Sequence, residues 1–167
     1  MEIMSDTECE NWLSAFIGRP FTWEVMKTLN PFSVAYRLPG DTGKKTALAR
    51  LLLASIDLRV PGLFWITSWS VFPSSENMSL FEGYRRSLGE SRPLYDAAGH
   101  VFAESEAQEL ECLMDLALYF YWDANIFCSD STWIEFSHDE VLVVHAKEES
   151  ISRNVDERLH RFKLERI

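Results

Sequence analysis

Three short apolar runs, "ANIFCS" (124–129), "TWIEFS" (132–137) and "EVLVVHA" (140–146), are separated by gaps that leave room only for tight turns. Strands this close along a chain fold back on one another, so the runs dictate an antiparallel meander near 123–146. With two-residue loops at Asp130-Ser131 and His138-Asp139, Phe127 pairs with Ile134, Ile134 with Val143, and Phe136 with Val141. All five share one apolar face. The other face then carries Ile126, Cys128, Trp133, Leu142 and Val144, with Glu135 beside them. Because this second face is also largely apolar, either helices cover both sides of the sheet or a partner covers one. Helical cover is the usual solution in an α+β domain.

The rest of the chain supplies the helices. "TECENWLSAFIGRP" reads as a first helix, with Thr7 and Glu10 as a capping box and Gly18-Pro20 as its stop. "TWEVMKTLNP" reads as a short second one. A strand over Ser33–Leu38 leads through a Pro-Gly turn into "KKTALARLLLASI", which places Leu48, Leu51, Leu52 and Ile56 on one face. "LFWITSWSVF" is rich in aromatic and β-branched residues and reads as a strand of about ten residues. Three further helices follow: "SENMSLFEGYRRSLG", with Phe81, Tyr84 and Leu88 inward; "SEAQELECLMDLALYFYW", opened by Ser105 and Gln108; and "NVDERLHRFKL", with Val155, Leu159 and Phe162 inward. The expectation is one α+β domain over residues 1–167, an antiparallel sheet of about five strands packed with about five helices.

The segment "PGDTGKKTALARLLL" imitates a phosphate-binding loop. That loop needs four residues between its first Gly and its Gly-Lys pair. Here Gly40 and Gly43 are two apart, and Leu38 stands where the first Gly belongs. The segment is a helix start, capped by Asp41 or Thr42.

Charge is distributed unevenly. The chain carries a formal net charge of −10, yet from Asp96 to Glu149 thirteen carboxylates face a single base, Lys147. An acidic surface repels nucleic acid and attracts basic proteins. The first residues carry acids where a secretory leader needs bases, and no run of 18 apolar residues offers a membrane span. Cys9, Cys112 and Cys128 fit neither a zinc spacing nor a disulfide framework and read as buried, reduced thiols of a cytoplasmic protein.

Chemistry-bearing groups concentrate in "FSHDEVLVVH". His138 and His145 lie an odd number of residues apart, so one strand points them to opposite faces, which argues against a metal. The register above puts His145 opposite Thr132 at the end of the apolar face. Two functional classes stay open. The first is a non-enzymatic binding protein that docks a basic protein partner without a cofactor, using Asp123, Asp130, Glu135, Asp139 and Glu140, with Trp133 as an apolar anchor. Toxin-neutralising immunity proteins illustrate that charge logic. The second is a small hydrolase or ligand-binding enzyme with Asp123, His138 and Asp139 around a cleft. A homodimer through the second face of the meander is the third reading.

Overall fold

The computed structural model describes residues 1–55, 61–68, 75–129 and 131–167, with the side chains of 75–78 left aside. These residues form a single α+β domain around one antiparallel sheet. In chain order they are β1 (Glu2–Met4), α1 (Asp6–Ile17), α2 (Trp23–Leu29), β2 (Phe32–Arg37), α3 (Thr42–Leu53), β3 (Gly62–Ser68), α4 (Ser75–Ser87), β4 (Gly99–Phe102), α5 (Ala107–Phe120), β5 (Asp123–Ser129), β6 (Thr132–Ser137), β7 (Val141–Ala146) and α6 (Glu149–Arg161). The seven strands lie in the order β1-β4-β3-β5-β6-β7-β2, with the expected meander at β5-β6-β7. The sheet is wider than expected because β1 and β4, of three and four residues, are too short to show an alternating pattern.

Both turns of the meander shift the pairing by one residue from the expected register. Ser129 does face Thr132, but an irregularity between Phe127 and Ser129 leaves Phe127 opposite Trp133 and Ile126 opposite Ile134. At the second turn Ser137 faces Val141, so three residues form the loop rather than two. The third, Glu140, takes the left-handed conformation at φ 62°, and its N–H donates to the Ser137 carbonyl at 3.1 Å. Ile134 therefore pairs with Val144, and His145 with Trp133 rather than being set against Thr132. Asp130 lies outside the described residues.

This register sorts the two faces. Ala124, Ile126, Ile134, Phe136, Leu142 and Val144 share one side with Val34 and Tyr36 of β2, all buried. Helix α4 packs there through Phe81, whose ring meets His100 of β4 at 5.8 Å. Helix α6 packs there through Asp156, which accepts from the Tyr36 hydroxyl. Helices α3 and α5 lie on that side too, joined by Arg50–Glu111 at 2.7 Å. On the other side, Asp6 of α1 accepts from Trp65 Nε1 at 2.8 Å, and Trp23 of α2 stacks on Trp65 at 5.6 Å. Helices thus lie against both faces, as the apolar composition of the meander requires. The free edge of β2 is occupied by the C-terminal segment: Arg37 N–H donates to Glu165, and Ile167 N–H to Ala35.

Local details depart from expectation where competing groups were close. Ser5, not Thr7, caps α1, with Glu8 completing the box. A 3₁₀ turn over Glu104–Glu106 replaces the Ser105 cap, and Glu106 accepts from the Ala103 N–H. At α3 the expectation holds: Asp41, one of the two expected caps, accepts from Lys44 N–H at 2.9 Å. Phe81 is buried as expected, but Leu88, just past the end of α4, is 42% exposed, and Arg85 is buried beside Phe81 instead. Trp69 and Ile56 lie outside the described residues. Cys9 and Cys128 are buried, whereas Cys112 is exposed. Burial, reinforced by Asp6 and Glu8, pushes the Cys9 thiol up to about 12, so it packs as a small apolar group.

Two glycines mark where backbone and side chain approach most closely. A Cβ at Gly62 would lie 2.5 Å from the Phe102 ring and 2.9 Å from the Phe127 carbonyl, and one at Gly99 would collide with Cys9 Sγ. Gly99→Ala should destabilise the fold by about 1–3 kcal/mol in urea denaturation. The same change made in a Cys9→Ala background should cost clearly less. Equal costs in the two backgrounds would show that the contact is not the cause.

Candidate functional site

The side of the sheet that receives α1 and α2 is covered over only part of its area. Along it, Leu63, Phe127, Trp133, His145 and Ser33 form one row across the strands, and Trp65, Asn125, Glu135, Val143 and Ala35 form the next. Trp23, one residue after the Thr22 cap that starts α2, roofs the first row. It lies 5.6 Å from Trp65, 6.3 Å from Phe127 and 5.7 Å from Trp133, and Trp133 in turn stacks on His145 at 4.0 Å. Aromatic pairs at these separations each contribute about 0.5–1.5 kcal/mol beyond their buried area. Below the roof the sheet is open: Ala35, Glu135, Ser137, Val141 and Val143 are half-buried, and Arg37 and Thr67 are exposed.

At the border of roof and open sheet lies a cleft of about 290 Å³, lined by Trp23, Lys27, Thr67, Asn125, Trp133 and Glu135. Its floor is a chain of hydrogen bonds. Trp133 Nε1–H donates to Asn125 Oδ1 at 2.9 Å, and Asn125 Nδ2–H donates to Thr67 Oγ1 at 3.3 Å. Asn125 is only 4% exposed, and these two bonds satisfy both ends of its amide. Glu135 Oε2 lies 3.3 Å from His145 Nε2. A larger cavity of about 500 Å³ between β2 and α6 is less suited to a ligand, because its charged side chains are spent on one another, Arg153 on Glu149 at 2.9 Å and Arg166 on Asp156 at 3.0 Å.

The acidic turn borders the open sheet. Asp123, at the start of β5, accepts from the His138 backbone N–H at 2.5 Å, and both its oxygens lie 2.9 Å from His138 Nδ1. His138 Nε2 is 3.7 Å from Asp139 Oδ1. Held between two carboxylates, the imidazole has its pKa raised, first by the hydrogen bond to Asp123 and then by that carboxylate's charge. This is an imidazole clamped to a turn, with a carboxylate rather than a hydroxyl or thiol at its outer nitrogen.

The structure brings four of the six proposed binding residues together. Asp123 and Glu135 lie on the open face, and Asp139 and Glu140 lie on the turn at its rim, where the Asp139 side chain is 78% exposed. Trp133, the expected apolar anchor, is 1% exposed, with its N–H spent on Asn125, and it forms the wall of the cleft. Trp23, Lys27, Thr67 and Asn125 were missed, because only the pairing of β3 with β5 and the placement of α2 bring them to Glu135. The acids of α5 lie on the helical side of the sheet, with Glu111 paired to Arg50 and Asp115 accepting from Thr46 at 3.2 Å. The acidic stretch therefore splits between two sides of the molecule. Among the described residues, no three His, Cys, Asp or Glu side chains gather as a metal site would require, and no helix is long and apolar enough to cross a membrane. In comparisons with known proteins, no family model matches the chain, and neither does a curated protein or a solved structure.

The His138 clamp has a definite pH signature. Its folded pKa is raised, so its stabilisation is fully present below the ordinary imidazole value and is lost as pH rises through the raised one. His138→Ala should lower the melting temperature more at about pH 5.5 than at about pH 9.5, each measured against the native protein at the same pH. A deficit that stays constant or grows with pH would contradict the clamp.

Proposed function

We propose that this chain is a non-enzymatic binding protein whose open sheet face and acidic turn dock a basic protein surface, as toxin-neutralising immunity proteins do. The observation that carries this reading is the pairing of an uncovered sheet face with an exposed acidic border. Val141, Val143 and Ala35 offer apolar area, while Glu135, Asp139 and Glu140 project charge around it. Apolar centres with charged rims are the usual anatomy of a protein interface. The rim charges steer approach and select a cationic partner, and the apolar area holds it. Asp123 is less available to a partner, because its carboxylate is engaged by the His138 backbone N–H and ring. That same pairing leaves His138 poorly placed to act as a general base, which weighs against the hydrolase reading. The predominantly negative border argues for a protein rather than a nucleic acid.

The test uses the protein and a triple variant, Glu135→Lys, Asp139→Lys and Glu140→Lys, as parallel baits in lysate of the source cell. The native chain should hold one basic protein stoichiometrically at low salt and release it at high salt, since exposed charges are screened over about 10 Å at 0.1 M. The variant should associate at least about 10-fold more slowly, with an unchanged circular dichroism spectrum. Equal capture by both baits would refute docking through this face.

A further inference from the structure

Behind the sheet, on the side away from the cleft, two polar groups are buried without the partners such groups require. Arg85 is 1% exposed, and none of its three guanidinium nitrogens has a hydrogen-bond partner among the described residues. His100 of β4 is fully buried, and neither ring nitrogen has one. The backbone of Phe64 and Ala98 comes near the imidazole but makes no bond of acceptable geometry to it. The two groups are neighbours. Phe81 and Arg85 are four residues apart on α4 and so share its inner face, and the Phe81 ring meets His100 edge-on at 5.8 Å. Phe64 and Trp122 complete an aromatic surround, with Phe64 6.1 Å from His100 and Trp122 5.1 Å from Phe81.

A guanidinium keeps its proton under any condition in which a protein folds. Burying it uncompensated costs several kcal/mol, so folded proteins pair such charges. Among the described residues, the carboxylate whose charge acts most on Arg85 is Glu90, which is committed elsewhere. Its two oxygens receive Arg92 Nε at 3.1 and 3.0 Å and Arg92 Nη2 at 2.7 Å, and the Arg92 backbone N–H adds a bond of 2.7 Å. This holds the Glu90 carboxyl down to about 2. His100 brings no compensating charge either, because burial first and Arg85 second push it down to about 3, leaving it neutral. A neutral imidazole can still donate one hydrogen bond.

We infer that Arg85 and His100 form an internal receptor for a small inorganic anion of the halide class, which fastens α4 to the neighbouring strands β3 and β4. The guanidinium supplies the charge and a fork of donors, and His100 supplies one more donor. Because both side chains are closed to solvent, the ion is monatomic and is enclosed as the chain folds.

Bromide is the probe. At constant ionic strength, replacing gluconate with bromide should raise the melting temperature of the native protein, by roughly 5–10 °C at about 100 times the dissociation constant. Arg85→Met, which keeps the shape and removes the charge, should melt at a temperature independent of the anion. Crystals of native protein refolded and grown in bromide should show an anomalous peak within hydrogen-bond reach of Arg85 and His100, a readout that stands even if the variant does not fold. The inference is overturned if the native protein shows no bromide-specific shift and no peak, which would mean that a carboxylate of the chain, Glu90 first, neutralises Arg85. It is equally overturned if Arg85→Met keeps the full bromide response.

Discussion

The pairing register of β6 is the constraint on which the rest of this molecule depends. A strand's side chains alternate, so a slip of one residue exchanges its faces completely. Two local irregularities set the register here, the one between Phe127 and Ser129 and the three-residue turn that ends at Glu140. Together they put Ile134 and Phe136 among the core residues of the helical side, and Trp133 and Glu135 on the side of the cleft. Slipped by one at each turn, the same strands would set a carboxylate among Ile126, Leu142 and Val144 with no cation to pair it, at a cost of several kcal/mol. The turn enforces the choice at a cost of about 1–3 kcal/mol for the left-handed Glu140, which persists because its surroundings hold it. Its Glu140 carbonyl is held in turn by the Leu38 N–H at 2.7 Å.

With the register set, the two halves of the cleft side follow. Trp23 covers the row containing Phe127 and Trp133 and the Trp65 end of the next, and the Glu135, Val143 and Ala35 end of that next row is left open. The aromatic contacts are rigid, so the open row is held on a firm scaffold, which keeps the ordering cost of docking low. The acidic turn grows from the same strands that carry the open row, and the Asp123–His138 clamp fixes its shape. Fold and proposed function thus share one cause.

Much of this was legible in the sequence. Period-2 runs gave the meander, and period-3.6 stripes gave α3, α5 and α6 with Leu48, Leu113 and Leu159 inward. The existence of helical cover on both faces followed from two apolar sides. Strands of three or four residues, such as β1 and β4, carry too few side chains to declare a period. Two-residue turns misplace the register, although the sequence holds a corrective signal. With Ile134 opposite Val144, the Ala124, Ile126, Phe136 and Leu142 side contains no charge at all, whereas the two-residue turns leave Glu135 on an apolar face. Segregation over all three strands is a stronger criterion than pairing of five apolar residues. Of the site, the acids could be read from composition. Trp23, Thr67 and Asn125 could not, because contacts between α2, β3 and β5 arise only from tertiary packing.

The most direct test of this account is a set of cross-strand nuclear Overhauser contacts between β6 and β7 in the isotopically labelled protein. The account predicts backbone contacts linking Ile134 with Val144 and Glu135 with Val143, which place Glu135 on the open side. Contacts linking Ile134 with Val143 instead would move Glu135 to the helical side and contradict both the site and the function built on it.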